Sequence, residues 1–324
     1  MGGDNAPRAA VEGAKQALRE FDDVDILLYG DQERLAPLVG EAQGLTIVHA
    51  PDVISMHDSP MLAVRQKTES SLVKAVMAVR NGEAGAVVSA GSTGALLAGG
   101  MLRIGRIKGI ERPALAPVLP GTKKPYLLID CGANVDCQAR YLLQFGLMGA
   151  AYMQTVQGVA NPTVGLANIG TEAEKGDRLV KEAYELLSRQ RAFVFKGNAE
   201  VRDVPSGEFD VVVADGFVGN VILKTIEGTS KLILGMLKEG MRSSKRAMAG
   251  AAMMKPALKA LKDKMDYKCY GGAPLLGVNG AVIKAHGSSD ARAIKNAVRQ
   301  ARAMLEGDVV SKIQDGLAGL PGEE

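Results

Sequence analysis

Short apolar runs rich in Val, Ile and Leu alternate with helix-periodic segments along almost the whole chain, and glycines collect where runs give way to helices. No other feature narrows the fold as much. Strands are expected over 25–29, 46–49, 86–89, 115–119, 126–130, 163–168, 192–196, 211–215 and 281–285. Helices are expected near 7–20, 32–39, 61–80, 94–104, 138–157, 176–190, 218–237 and 290–305. Several of the strands are continuously apolar, as happens when helices cover both faces of a sheet. The expectation is an α/β fold, a three-layer α/β/α architecture with a mostly parallel mixed sheet. Gly121-Thr122-Lys123-Lys124-Pro125 reads as a tight turn, so some antiparallel pairing is expected. With no internal repeat and no long linker, the chain reads as a single α/β domain over 1–324.

In open sheets of this kind, ligands bind beyond the carboxyl ends of the strands. Four expected strands run into glycine-rich turns there. They are Ser89-Ala90-Gly91-Ser92-Thr93-Gly94, Asp130-Cys131-Gly132-Ala133-Asn134, Asn168-Ile169-Gly170 on to Lys175-Gly176, and Asp215-Gly216-Phe217-Val218-Gly219-Asn220. Helix starts present N–H groups where the macrodipole favours an anion. Ser92 and Thr93 add hydroxyls, Asn134, Asn168 and Asn220 add amides, and Lys175 adds a cation. The sequence has no GxGxxG fingerprint, no GxxxxGK[ST] loop and no GxSxG nucleophile elbow. What remains is a phosphate or oxyanion site that works by position and charge, with no metal and no cofactor. Glycine makes up 39 of 324 residues, against an average of about 7%. The surplus is read as backbone that approaches an anion where a Cβ would block it. Gly146, Gly149 and Gly158 are read instead as helix-packing positions. His286, between a strand and a helix, is either a site residue or part of a capping loop. His57 lies in a polar loop and reads as a solvated histidine or part of a lid.

The chain has 6 Phe, 7 Tyr and no Trp, too few rings for a base-stacking surface, so nucleic acid is not an expected partner. Three cysteines without paired spacing do not make a disulfide framework, and a reducing cytoplasm is expected. The start has no signal-peptide pattern. The uncharged stretches between Glu83 and Arg103 and between Arg140 and Glu172 are broken by polar residues, so neither reads as a membrane span. One segment differs in composition: 236–268 holds six of the 14 methionines, and 238–268 has nine basic residues against three acidic. That local charge of +6 exceeds the chain's +3, and the segment reads as a basic, methionine-rich helical hairpin. Its Leu258, Leu261 and Met265 form an apolar stripe flanked by Lys255, Lys259 and Lys262, with Lys245 and Arg246 nearby. Such a face suits an acidic protein or an anionic bilayer; a solvated basic face or a dimer contact is the plainer alternative.

The segments MGGDNAP (1–7), Ser92-Thr93-Gly94-Ala95, Arg112-Pro113-Ala114, Asp130–Asn134, Asn168-Ile169-Gly170, Asp215–Asn220, GGAPLLG (271–277) and His286-Gly287-Ser288 occur in this order. Together they resemble the bacterial phosphate acyltransferases of phospholipid synthesis, the PlsX family. The resemblance covers essentially the whole chain. It implies transfer of a long acyl chain from acyl carrier protein to inorganic phosphate, releasing acyl-phosphate. It also implies a fold like that of the isopropylmalate dehydrogenase and phosphotransacetylase group, a homodimer, and peripheral contact with the membrane from the cytoplasm. Family members carry a short apolar strand ahead of MGGDNAP, whereas this sequence opens on that motif's Met. Phosphate and substrate binding is expected from Gly3, Asp4, Asn5, Ser89, Gly91, Ser92, Thr93, Gly94, Asn134, Asn168, Gly170, Asp215, Gly216, Asn220 and His286. Lys175 is expected to be the main catalytic residue, neutralising phosphate, polarising the thioester carbonyl or protonating the leaving thiolate; the plainer alternative is a solvated surface lysine paired with Glu172 or Glu174. The alternatives are a phosphotransacetylase using acyl-coenzyme A and a non-catalytic, membrane-associated lipid-binding scaffold. A metal-dependent decarboxylating dehydrogenase is disfavoured, because no aspartates stand at metal-binding spacing.

Overall fold

The computed structural model describes residues 1–265 and 270–320, with the side chains of 262–265 outside the description. The expected docking residues Lys262 and Met265 therefore have no described side chain, and Cys269 lies outside the described residues.

The chain runs α1 (Arg8–Glu20), β1 (Ile26–Gly30), α2 (Gln32–Val39), β2 (Leu45–His49), α3 (Pro60–Gln66), α4 (Ser71–Arg80), β3 (Ala86–Ser89) and α5 (Thr93–Gly99). It continues through β4 (Ala114–Leu115), β5 (Val118–Leu119), β6 (Tyr126–Ile129), α6 (Ala139–Thr155), β7 (Thr163–Asn168), α7 (Arg178–Arg189), β8 (Val194–Glu200) and β9 (Val211–Val213). It ends with α8 (Gly216–Arg242), α9 (Lys245–Met253), α10 (Lys255–Met265), β10 (Ala273–Leu276), β11 (Ala281–Lys284), α11 (Ala291–Glu306) and α12 (Val309–Gly316). The expected α/β alternation is present, and the two larger sheets are mixed. Strands β1 and β2 form a parallel pair, a four-stranded sheet has the order β3-β11-β10-β4, and a five-stranded sheet has the order β5-β6-β9-β7-β8.

The two larger sheets meet at residues 114–119, where one strand was expected. Pro117 has no N–H to give to a ladder, and the chain changes partner around it. Strand β4 pairs with β10 and β5 with β6, both antiparallel. Ala116 donates to the Pro274 carbonyl at 3.0 Å, and Leu128 donates to the Pro117 carbonyl at 3.1 Å. Strand β10 was hidden in sequence by the glycines and proline of GGAPLLG. The helix expected over 61–80 is two helices, because the Ser70 hydroxyl accepts from the Val73 N–H and starts α4 afresh.

Strands β6 and β9 carry the core. Leu127 and Ile129 on one strand and Val211 and Val213 on the other are fully buried under α6, which adds Leu142, Phe145 and Met148. The opposite face, with Tyr126, Leu128 and Val212, is closed by Ile222 and Ile226 of α8. A Cβ on Gly149 would stand 2.5 Å from Val211 Cγ1, and one on Gly146 would stand 2.8 Å from Phe193 Cζ. Both glycines therefore let α6 lie close to its neighbours. Gly158 differs: its φ is +69° and a Cβ there would meet nothing within 4 Å, so it serves a turn and not a packing contact. Among the described residues, no helix is long and apolar enough to cross a membrane.

Candidate active site

Parallel pairing of β3 with β11 puts Ser89 beside Lys284 at the carboxyl edge of the four-stranded sheet. The loops that follow these strands receive the N-terminal segment. Asp4 N–H donates to the Gly287 carbonyl at 2.8 Å. The Asn5 amide donates to the Ser288 and Ser289 carbonyls at 3.3 and 3.1 Å. A Cβ on Gly2 would stand 2.5 Å from Gly91 Cα, so only glycine allows the two loops to touch. Gly3, at φ +105°, turns the chain between them. Buried Ser92 caps α5 by accepting from the Ala95 N–H, and Ser89 Oγ accepts from the Gly91 N–H at 3.2 Å. Thr93 and Gly94 open α5, with Gly94 against Pro60 of α3. The His286 ring accepts from the Ser288 N–H through Nδ1 at 3.1 Å, and burial lowers its pKa. Residues 3–5, 89–94 and 286 are thus brought together.

A second group gathers at the end of β6. Asp130 is fully buried. Its carboxylate accepts from the N–H groups of Leu115, Ala133 and Asn134 at 2.9, 3.1 and 2.7 Å, and from the Asn134 amide at 3.0 Å. Burial pushes its pKa up to about 6, against the pull of these donors. Asp215 caps α8, accepting from the Phe217 and Val218 N–H groups at 2.9 Å. The Gly216 N–H goes to the Asn134 carbonyl at 2.7 Å. A Cβ on Gly219 would lie 1.9 Å from the Asp130 carbonyl oxygen, and Gly132 lies against Asn220. Here the structure revises the reading of the glycines. The space that a Cβ would occupy is filled by an opposing loop, and three N–H groups at the start of α8 already have protein acceptors. An anion in this crevice therefore depends on side-chain charge more than the sequence pattern implied.

Two turns further along α8, Lys224 pairs with Glu227 at 2.9 Å. Lys224 and Glu227 act electrostatically on Cys131 in the second group and on His286 in the first. Helix α8 thus spans both.

Asn168, Gly170 and Lys175 form a third loop, at the end of β7, which is separated from β6 by β9. The Asn168 amide is used within the loop, donating to the Lys175 carbonyl at 3.0 Å and accepting from the Ile169 N–H at 2.8 Å. Lys175 Nζ lies 2.8 Å from the Glu172 carboxylate. Glu172 is the main cause of a raised lysine pKa and keeps the ammonium charged. The carboxylates acting on Lys175 are Glu172, Glu200 and Glu174, and among the described residues no hydrogen bond or ion pair ties it to residues 3–5, 89–94 or 286.

The basic segment is a helical extension of the C-terminal part of α8 with α9 and α10. Lys255, Leu258 and Lys259 line a groove of about 520 Å³ with Met241, Arg242 and Met248. Lys245, Arg246 and Leu261 are exposed, no residue of α9 is buried, and Met253 is 85% exposed. Sequence reasoning passed over three charged residues: Asp130, Lys224 and Lys284. The signal available for two of them was a charge closing an otherwise apolar strand, as in Tyr-Leu-Leu-Ile-Asp and Ala-Val-Ile-Lys.

A model of the fatty acid synthesis protein family matches residues 1–312. The chain is 48% identical over 324 residues to a phosphate acyltransferase of Clostridium botulinum (strain Loch Maree / Type A3), covering 99% of this chain and 96% of that protein. It is 50% identical over 319 residues to a phosphate acyltransferase of Clostridium perfringens (strain ATCC 13124), covering 97% and 94%. Among solved structures, a phosphotransacetylase from Streptococcus pyogenes superposes with a TM-score of 0.60 at 17% identity, covering 96% of this chain and 92% of that one. The last likeness concerns the fold; the first three, spanning nearly the full length, place the chain in the phosphate acyltransferase family.

Proposed function

We propose that the chain moves a long-chain fatty acyl group from acyl carrier protein to inorganic phosphate, giving acyl-phosphate for phospholipid synthesis. The reading is supported by near-full-length kinship to phosphate acyltransferases. The geometric observation that carries it is the seating of residues 1–5 on the loops after β3 and β11, opposite α8. A phosphate oxygen attacks the thioester carbonyl carbon, the new C–O bond forms as the C–S bond breaks, and the departing thiolate takes up a proton. Phosphate is itself the nucleophile, so no acyl-enzyme is needed. The described thiols suit that route: burial raises the pKa of Cys131 well above the usual thiol range and pushes that of Cys137 up to about 12, leaving little thiolate.

In this reading Gly3, Asp4, Asn5, Ser89 and residues 91–94 shape the phosphate side of the crevice with His286. Asn134, Asp215, Gly216 and Asn220 hold the loop across from it. Lys175 is the catalytic residue, stabilising the tetrahedral oxyanion or protonating the thiolate. Its bond to Glu172 is exposed and screened by water, weak enough for substrate to replace. The basic extension steers the acidic carrier protein, and its exposed apolar residues supply the contacts for a homodimer and for the membrane surface. The test supplies phosphate with either acyl-carrier protein or acyl-coenzyme A, with and without magnesium and a nicotinamide cofactor, and measures acyl-phosphate. Product from the carrier thioester without either additive is expected. Product from acyl-coenzyme A alone would move the chain to a phosphotransacetylase-like activity, and none from either thioester would leave a non-catalytic lipid-binding protein.

A further inference from the structure

Lys284 is the last residue of β11, an otherwise apolar strand of Ala281, Val282 and Ile283, and it is only 8% exposed. Lysine is almost never fully buried without a partner, because an ammonium removed from water loses solvation that one neutral acceptor does not replace. The acceptor here is neutral: Lys284 Nζ donates to the carbonyl of the adjacent Ala285. Among the described residues, no carboxylate lies within ion-pair distance of it. The charged and titratable groups that face it are Asp4 from the N-terminal loop, Lys224 from α8 and His286 from its own loop. Desolvation lowers its pKa to about 8, and the neighbouring Lys224 adds to the fall while Asp4 opposes it.

Its position explains why such a cost is tolerated. Register places Lys284 beside Ser89, where the β3–α5 turn begins, and two residues before His286. The N-terminal loop is pinned directly above, through Asp4 N–H to the Gly287 carbonyl and Asn5 to Ser289. The N–H groups on the far side, at the start of α8, are occupied by Asp215 and Asn134 and are not free to hold an anion. A buried ammonium without a protein anion, at the strand end that receives the N-terminal loop in an enzyme family that uses phosphate, lacks one partner.

The geometry points to Lys284 as the cation that binds the substrate phosphate. It contacts the phosphate oxygens directly and holds the nucleophile beneath the N-terminal loop, while the thioester approaches from the side of α8. This rests on the phosphate-acyltransferase reading for its reaction, though not for its binding chemistry. Arrival of the anion restores the lysine's preference for its proton, so near pH 8 phosphate binding should take a proton up.

The test uses the full chain with inorganic phosphate as the probe. Calorimetric titration of the wild-type protein at pH 8, in two buffers of different ionisation enthalpy, should show proton uptake on binding. Lys284→Met should raise the KM for phosphate by roughly 10- to 100-fold, the size of a lost charge-assisted contact, with a smaller change in kcat. Lys284→Arg should recover most of the affinity and abolish the weakening of phosphate binding above pH 8. An unchanged phosphate KM in folded Lys284→Met, or phosphate binding by the wild type without proton uptake, would overturn the inference. If the wild type binds phosphate in this way but makes no acyl-phosphate, the functional reading fails and the phosphate site stands.

Discussion

At the scale of single residues, the charges at the strand ends differ sharply in their surroundings. Lys175 is exposed, paired with Glu172 and charged. Lys175→Ala should lower kcat by about 10²–10³, the effect of losing one oxyanion donor. Steady-state assays on a variant with wild-type circular dichroism check it, and near-normal turnover would dismiss the assignment. Asp130 is the opposite case, a buried carboxyl whose pKa is raised from 3.8 to about 6. The folded chain holds this proton more tightly than the unfolded chain. Its contribution to stability is therefore full below about pH 4 and is lost as pH rises through about 6. Asp130→Asn removes the titration. Between pH 4 and pH 7 the stability of the wild type relative to that variant should fall by on the order of 2–3 kcal/mol. Urea unfolding at the two values measures it, and a constant difference would contradict the account.

At the scale of elements, α8 does two jobs along its length. Its first turns lie on the β6–β9 face, so close that a Cβ on Gly219 would strike the Asp130 carbonyl oxygen. Its later turns leave the body, and a Cβ on Gly235 would meet nothing within 4 Å. The same substitution should therefore act in opposite directions. Gly219→Ala should destabilise by about 1–3 kcal/mol through overpacking. Gly235→Ala should stabilise by up to about 1 kcal/mol through helix propensity, and thermal unfolding of both decides. The extension beyond carries the docking proposal: Leu258→Glu should reduce co-sedimentation with anionic vesicles, and undiminished binding would argue against membrane contact there. The elements most legible in sequence were those with unbroken periodicity, such as the apolar strands 126–130 and 211–215 and the amphipathic helix near 290–305. What stayed hidden depended on partners distant in sequence. Pro117 marks a change of sheet only once β10 and β6 are seen on either side, and the Gly219 contact needs the loop after β6. The crevice loops could be named from their glycines, but nothing local separated glycines that admit a neighbouring loop from those that admit a ligand. Asp130 and Lys284 were likewise readable only as single charges in apolar strands until their burial was known.

At the scale of the whole molecule, two mixed sheets joined through residues 114–119 bring one set of strand ends under the N-terminal loop and another under α8. In the proposed reaction a phosphate on one side and a thioester on the other would need only to be held in register, since placement and electrostatics supply most of what such a transfer requires. The basic extension concentrates positive charge on one part of a chain whose total is only +3, so the rate with carrier protein should fall with salt more steeply than the rate with a neutral thioester. The most direct measurement of the central claim is the stoichiometry of a single reaction. Purified chain is mixed with acyl-carrier protein and phosphate, and free carrier thiol and acyl-phosphate are both counted. The account predicts one acyl-phosphate for each thiol released, with the rate saturating in phosphate. Thiol release that yields free fatty acid, or that proceeds equally without phosphate, would contradict it.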